Sequence, residues 1–165
     1  MEFDNEVQRQ TYFKLREYLA ELFEHPYQDE KDGHFYVSYG STVLEISVDP
    51  YGPEDAAVVI SSYCVQDVEV EENLLLGLLE VNHQLPFGAF SLVGRDVFFS
   101  DTLFGSALDR RVLLGAIAAV ATVADDYDDL IVAKYGGHRA LDRIRETGGR
   151  KRRRERGIEK TASEA

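Results

Sequence analysis

Four aspartates within five residues, Asp125, Asp126, Asp128 and Asp129, form the densest set of candidate ligands in the chain. Carboxylates so placed could hold a hard divalent cation through oxygen. The calcium-loop pattern is not met. In a twelve-residue loop begun at Asp129 there is no glycine at the sixth position, and Ala140 stands where the closing glutamate belongs. On a helical wheel Asp125, Asp128 and Asp129 share a side with Arg110 and Arg111, opposite the stripe Leu113, Ile117, Val120, Ala124, Tyr127 and Ile131. That pattern predicts a solvated acidic face, with Asp126 at the edge of the apolar arc.

Other reactive groups lack partners in the sequence. Cys64 is the one cysteine, so no internal disulfide can form. No basic residue adjoins it to depress its pKa, and a buried inert thiol is expected. His25, His34, His83 and His138 are widely spaced, with no H-x-x-x-H and no Cys–His pair to hold a metal. Neither a G-x-x-x-x-G-K-[ST] loop nor G-x-G-x-x-G occurs, and no serine sits in G-x-S-x-G. The reading is a protein with no catalytic, cofactor or metal site, and not an enzyme.

The elements that would carry a surface are clearer. Val7, Tyr12, Leu15, Leu19, Leu22 and Phe23 mark a first helix, with Asp4 as the expected N-cap. His34–Tyr39 and Thr42–Val48 alternate as strands around Gly40-Ser41, a connection suited to a type II′ hairpin. Ala56–Cys64 holds the run Val58-Val59-Ile60, apolar on both faces, as at the centre of a sheet. A second helix opens at Glu71-Glu72 and ends before Pro86; strands follow at Ala89–Val93 and Val97–Phe104. A third helix is expected from Leu108 to Lys134, capped by Ser106 and closed by Gly136-Gly137. A short amphipathic piece, His138–Glu146, comes after it. The expected fold is α+β, in the order α-β-β-β-α-β-β-α, with helices packed on a mainly antiparallel five-stranded sheet.

The second helix has an apolar arc wider than one sheet needs. Leu74, Leu75, Leu78, Leu79 and Val81 span about 160°, and Leu76 widens this to roughly 220°. The excess is buried either within the domain or against a second copy, which makes Leu74, Leu75, Leu76, Leu78 and Leu79 the candidate dimer interface.

Charge divides the chain in two. Of 165 residues, 18 are Lys or Arg and 30 are Asp or Glu, a net of −12. Residues 148–165 hold seven of the basic and three of the acidic residues, leaving the body, residues 1–147, at −16. Such a body does not track phosphates, so nucleic-acid contact is confined to weak, nonspecific contacts through the basic tail. The tail, 148–165, has the composition of a disordered segment. The start lacks a secretory signal, and the longest weakly polar stretch, Val112–Ala124, is too short to span a membrane. A soluble, cytoplasmic protein is expected.

Three stretches, Leu79–Phe90, Val97–Ser106 and Ala124–Arg143, resemble the type III secretion chaperones and the YbjN-like proteins, in the bacterial branch grouped as peptide-binding chaperones. The resemblance covers about residues 5–145. It implies a non-enzymatic, acidic, usually dimeric protein that holds an extended segment of a client protein on exposed apolar strips of the sheet and first helix. A regulatory adaptor in signalling or stress response, binding a specific folded partner, is the alternative it implies. Phe35, Val37 and Tyr39, or their opposite-face neighbours, are the candidate client contacts.

Overall fold

The alternating segments around Pro50 and Val58 pair as one long hairpin, and the rest of the fold is laid against it. The structure, a computed structural model, describes residues 2–29, 31–40 and 42–139. The elements are α1 (Glu6–Leu22), β1 (Tyr27–Gln28), β2 (Phe35–Tyr39), β3 (Thr42–Tyr51), β4 (Asp55–Gln66), α2 (Glu72–Gln84), β5 (Ala89–Val93), β6 (Asp96–Phe104), α3 (Arg110–Tyr135) and β7 (His138–Arg139). The sheet is antiparallel, in the order β1-β2-β3-β4-β6-β5, and β7 pairs the far end of β4.

The α+β class and the element order follow the sequence reading, with two strands more than five. β1 and β7 are two residues each, too short to leave an alternating signal. β7 also replaces the start of the expected piece His138–Glu146; the remainder of that piece, and 148–165, lie outside the described residues.

Two helix starts differ from expectation. Asn5, rather than Asp4, caps α1, its side chain accepting from the Gln8 N–H at 2.7 Å. Asp109 caps α3, accepting from the backbone N–H groups of Arg111 and Val112. Ser106 instead donates its hydroxyl to Asp55 at 2.8 Å, within the 3-10 turn Gly105–Ala107. A capping residue type three positions too early was drawn into a tertiary bond.

β4 is the central strand, flanked by β3 and β6. Its inward residues Ala56, Val58, Ile60 and Ser62 are fully buried beneath α1 and α3. Leu15 and Leu19 of α1, Leu113 and Ile117 of α3, Leu44 and Ile46 of β3 and Phe99 of β6 complete the core. Each such side chain contributes about 1.5–3 kcal/mol on burial. A bulge between Tyr63 and Val65 shifts the register against β6, so Cys64 and Val65 are both buried. Gly105 lets α1 approach closely: a Cβ there would stand 2.6 Å from the Thr11 hydroxyl.

One inward residue is polar without compensation. The Ser62 hydroxyl is buried between β3 and β6 with no hydrogen-bond partner among the described residues. Removing an unpaired buried hydroxyl relieves its desolvation penalty. Ser62→Ala is expected to raise unfolding free energy by about 1 kcal/mol in urea denaturation; a loss of stability would reveal a bond the hydroxyl makes.

Candidate functional site

The helices cover one face of the sheet, and this decides what each candidate residue can do. Phe35 and Val37 point under the helices and are 2% exposed each. As core residues they present nothing to a partner, because the β2 residues of their parity face α3. Tyr39 has the same parity but lies past the helical cover and is 38% exposed. It stands beside an open edge: β1 pairs β2 at Phe35 and Tyr36 alone, leaving Val37–Tyr39 bonded on the β3 side.

Among the described residues, no helix covers the opposite face. Register places Tyr36, Glu45, Ser61, Ser100 and Ala89 in one row across it, with Ser47, Val59 and Thr102 in the next. The serine, alanine, valine and threonine side chains of these rows make a floor, stitched by the Ser61–Ser100 hydroxyl contact at 2.8 Å. Aromatic pairs stand around it. Tyr63 and Phe98 have ring centroids 4.1 Å apart, Tyr51 and Phe104 5.7 Å, and Tyr27 and Tyr36 6.0 Å. From the Tyr63–Phe98 pair to the level of Phe104 is six residues of strand, roughly 20 Å.

Tyr63 is held by polar contacts. The Tyr63 hydroxyl donates to Asp96 at 3.0 Å, and Asp96 also accepts the Asp67 backbone N–H. Asp67 adopts φ +58 and pairs with Arg95 at 2.9 Å, so the turns at both strand ends share one network. His34 lies 2.9 Å from Glu45 through Nδ1. The Glu45 carboxylate holds the imidazole pKa above its ordinary value.

The leucines of α2 divide. Leu74 and Leu78 are buried at 1% and 8% against the domain, whereas Leu75, Leu76 and Leu79 are exposed, Leu79 to 65%. Between α2 and the end of α3 runs an apolar groove of about 160 Å³, whose lining includes Leu74, Gly77, Leu78, Val81, Tyr127 and Leu130. Asn82 ties α2 to the sheet, its amide donating to the Phe90 carbonyl at 3.0 Å and accepting the Phe90 N–H at 2.7 Å. That contact also caps the outer edge of β5.

The aspartates of α3 are spread around the helix end. Asp126 is exposed, and Asp128, not Asp126, is the partly buried one. Asp129 is paired with Arg139 at 3.1 Å. No group of three His, Cys, Asp or Glu side chains among the described residues could hold a metal ion. Cys64 is buried, and desolvation, with the Asp128 charge nearby, pushes its thiol up to about 12. No helix among the described residues is long and apolar enough to cross a membrane.

A family model described as T3SS (YopN, CesT) and YbjN peptide-binding chaperone 1 matches residues 14–143. Among solved structures, the crystal structure of the ExsC-ExsE complex contains a similar chain, with TM-score 0.58 and 14% identity over 75% of this chain and 95% of that one. A chain in the structure of the HopA1-SchA chaperone-effector complex aligns with TM-score 0.55 and 14% identity, over 72% of this chain and 94% of that one. At that identity the likeness is one of fold. No curated protein sequence matches this chain.

Burial pushes the Asp128 carboxyl up to about 6 from 3.8. The folded state therefore holds this proton more tightly than the unfolded chain does. Stability falls as pH rises from about 4 to about 6, and the penalty is complete above that window. Asp128→Asn removes it. Its stabilising effect is expected to be larger at about pH 7.5 than at about pH 4 by about 1 kcal/mol, the two-unit shift discounted for partial exposure. Denaturation curves at both pH values check this; an effect equal at both would mean that the carboxylate is fully hydrated when folded.

Proposed function

We propose, for a chain that belongs to the family of type III secretion and YbjN peptide-binding chaperones, that it is a cytoplasmic, acidic homodimer holding an extended client segment on the bare face of its sheet. The observation that carries this reading is the ring-walled floor between Tyr63–Phe98 and Tyr51–Phe104. Its floor residues Ser47, Val59, Ser61 and Ser100 are half-buried and already ordered by the sheet, so the client supplies most of the ordering entropy. The two similar structures are complexes, one of them of a chaperone with an effector, which agrees with a protein client.

The face selects by shape and charge. Small hydroxyl side chains on the floor leave room for bulky client residues, and the rings supply contact area at little entropic cost. Glu45 and Asp49 favour basic segments. No reacting cluster is required by this work, and binding is the whole of the activity proposed.

The exposed stripe Leu75, Leu76 and Leu79 is assigned to self-association. Three leucines on one helix face lose free energy in water that a second copy recovers. Leu74 and Leu78, already buried, support the stripe from beneath.

Two measurements test the reading. On an array of extended synthetic peptides, basic and apolar-rich sequences are expected to be retained, and Tyr63→Ser with Phe98→Ser to weaken retention about tenfold. Equal retention by the double variant would remove the face from the account. In light scattering on a sizing column the mass is expected at twice 18.6 kDa, falling to the single-chain value with Leu76→Glu and Leu79→Glu. A single-chain mass at high concentration for the unaltered protein would end the dimer assignment.

A further inference from the structure

The charge pattern of the uncovered sheet face, on which the client reading also draws, has a counterpart within the same chain. No strand residue of that face is lysine or arginine, while Glu45, Asp49, Asp55 and Asp96 stand on it. Residues 148–165, outside the described residues, hold five arginines and two lysines. We propose that the segment Arg150–Lys160 docks on this face of its own chain, between the aromatic pairs, and occludes it until a client displaces the segment. The proposal rests on the reading of this face as the client surface.

Reach is sufficient. The described chain ends at Arg139, which pairs with Val65 on β4. Ser61, in the row of Glu45, lies four residues back along β4, about 13 Å away. The ten residues between Arg139 and Arg150 span up to about 35 Å when extended.

Chemistry favours this face over the other two candidate surfaces. Guanidinium groups pair with carboxylates and also stack on aromatic rings, and this face offers both. The leucine stripe of α2 calls for apolar side chains, and 148–165 supplies one large one, Ile158. Carboxylates on both surfaces hold local partners, Asp129 with Arg139 on α3 and Glu45, Asp55 and Asp96 on the sheet face, so it is the ring pairs beside the carboxylates that favour the sheet face. The contacts are exposed and individually weak, so occupancy comes from tethering and is sensitive to salt. A tethered segment acts at an effective concentration on the order of 1 mM. If the free segment dissociates at on the order of 0.1 mM, tethering weakens client binding by about tenfold.

The test compares the full chain with one ending at Thr147. In backbone amide spectra at low salt, removing 148–165 is expected to shift resonances of Ser61, Tyr63 and Ser100. Shifts confined to α3, or to residues next to Arg139, would overturn the proposal. A fluorescein-labelled peptide of sequence 148–165 is expected to bind the shortened chain about tenfold more tightly than the full chain. That binding should weaken with Glu45→Gln plus Asp49→Asn and be lost at about 0.5 M salt. Loss with Asp125→Asn plus Asp129→Asn instead would place the segment on α3 and refute the docking site. The two readings fail separately. Array peptides that bind both chains equally, with silent spectra, leave the client surface and remove the segment from it. A labelled segment that binds the face when no array peptide does leaves the docking and removes the client role.

Discussion

Everything in this molecule follows from a sheet covered on one side. α1 and α3 both pack on the inward residues of β3 and β4, and no described helix crosses to the other face. The inward set can then be mostly apolar, as Leu44, Ile46, Val58 and Ile60 are, with Ser62 the polar exception on β4. The outward set sits in a different solvent. Its central residues are half-buried by their strand neighbours alone, so strongly charged side chains would be partly desolvated and large aliphatic ones would be left wet. Serine, threonine, short aliphatic side chains and paired aromatic rings satisfy that condition, and they make up the centre of what β4 and β6 present, with Asp55 and Asp96 at the strand ends. A surface that solves its own hydration problem this way is also one on which a peptide backbone can lie close.

The same economy governs the edges. A sheet edge exposes unpaired N–H and C=O groups that invite further strands. On the β5 side, Asn82 imitates a strand by bonding both backbone groups of Phe90. On the β2 side, β1 covers Phe35 and Tyr36 but not Val37–Tyr39. Cover at α1 is set by side chains as well: buried Gln8 donates to the Val48 carbonyl at 3.0 Å and accepts from the Asp4 N–H, locking the helix start over β3. Polar residues thus fix which surfaces are closed, while apolar ones supply most of the driving force.

The element order and the central place of β4 were legible because long alternating runs and terminal glycines carry strong local signals. Val58-Val59-Ile60 marked the sheet centre for the reason given by its two neighbours, but being apolar on both faces it hid which face the helices cover. That ambiguity placed Phe35 and Val37 among the candidate contacts, although both are core. Tyr36 falls among the opposite-face neighbours that the β2 pattern offers, whereas Tyr63 and Phe98 carry no such signal, because their pairing is cross-strand and register between distant strands is not written in local spacing. The 220° arc of α2 was informative for the opposite reason. A helix cannot bury so wide an arc against one sheet, and the division of Leu74 and Leu78 from Leu75, Leu76 and Leu79 is the geometric consequence. The Ser106 cap misled because capping preference is local, whereas the Asp55 carboxylate that captured it lies 51 residues away.

A flat face of small side chains cannot bind tightly through depth, so any selectivity must come from spacing. The ring pairs stand at fixed positions on a rigid sheet, separated by a set number of strand residues. An extended ligand places alternate side chains about 7 Å apart, so its bulky residues meet both ring pairs only at particular separations. Charge then acts on top of that ruler, because no strand residue of the face is lysine or arginine while Glu45, Asp49, Asp55 and Asp96 stand on it. A binder built on these terms is tolerant of exact sequence and strict about pattern, and each contact stays weak enough for release by competition. Those are the properties required to hold a chain without folding it.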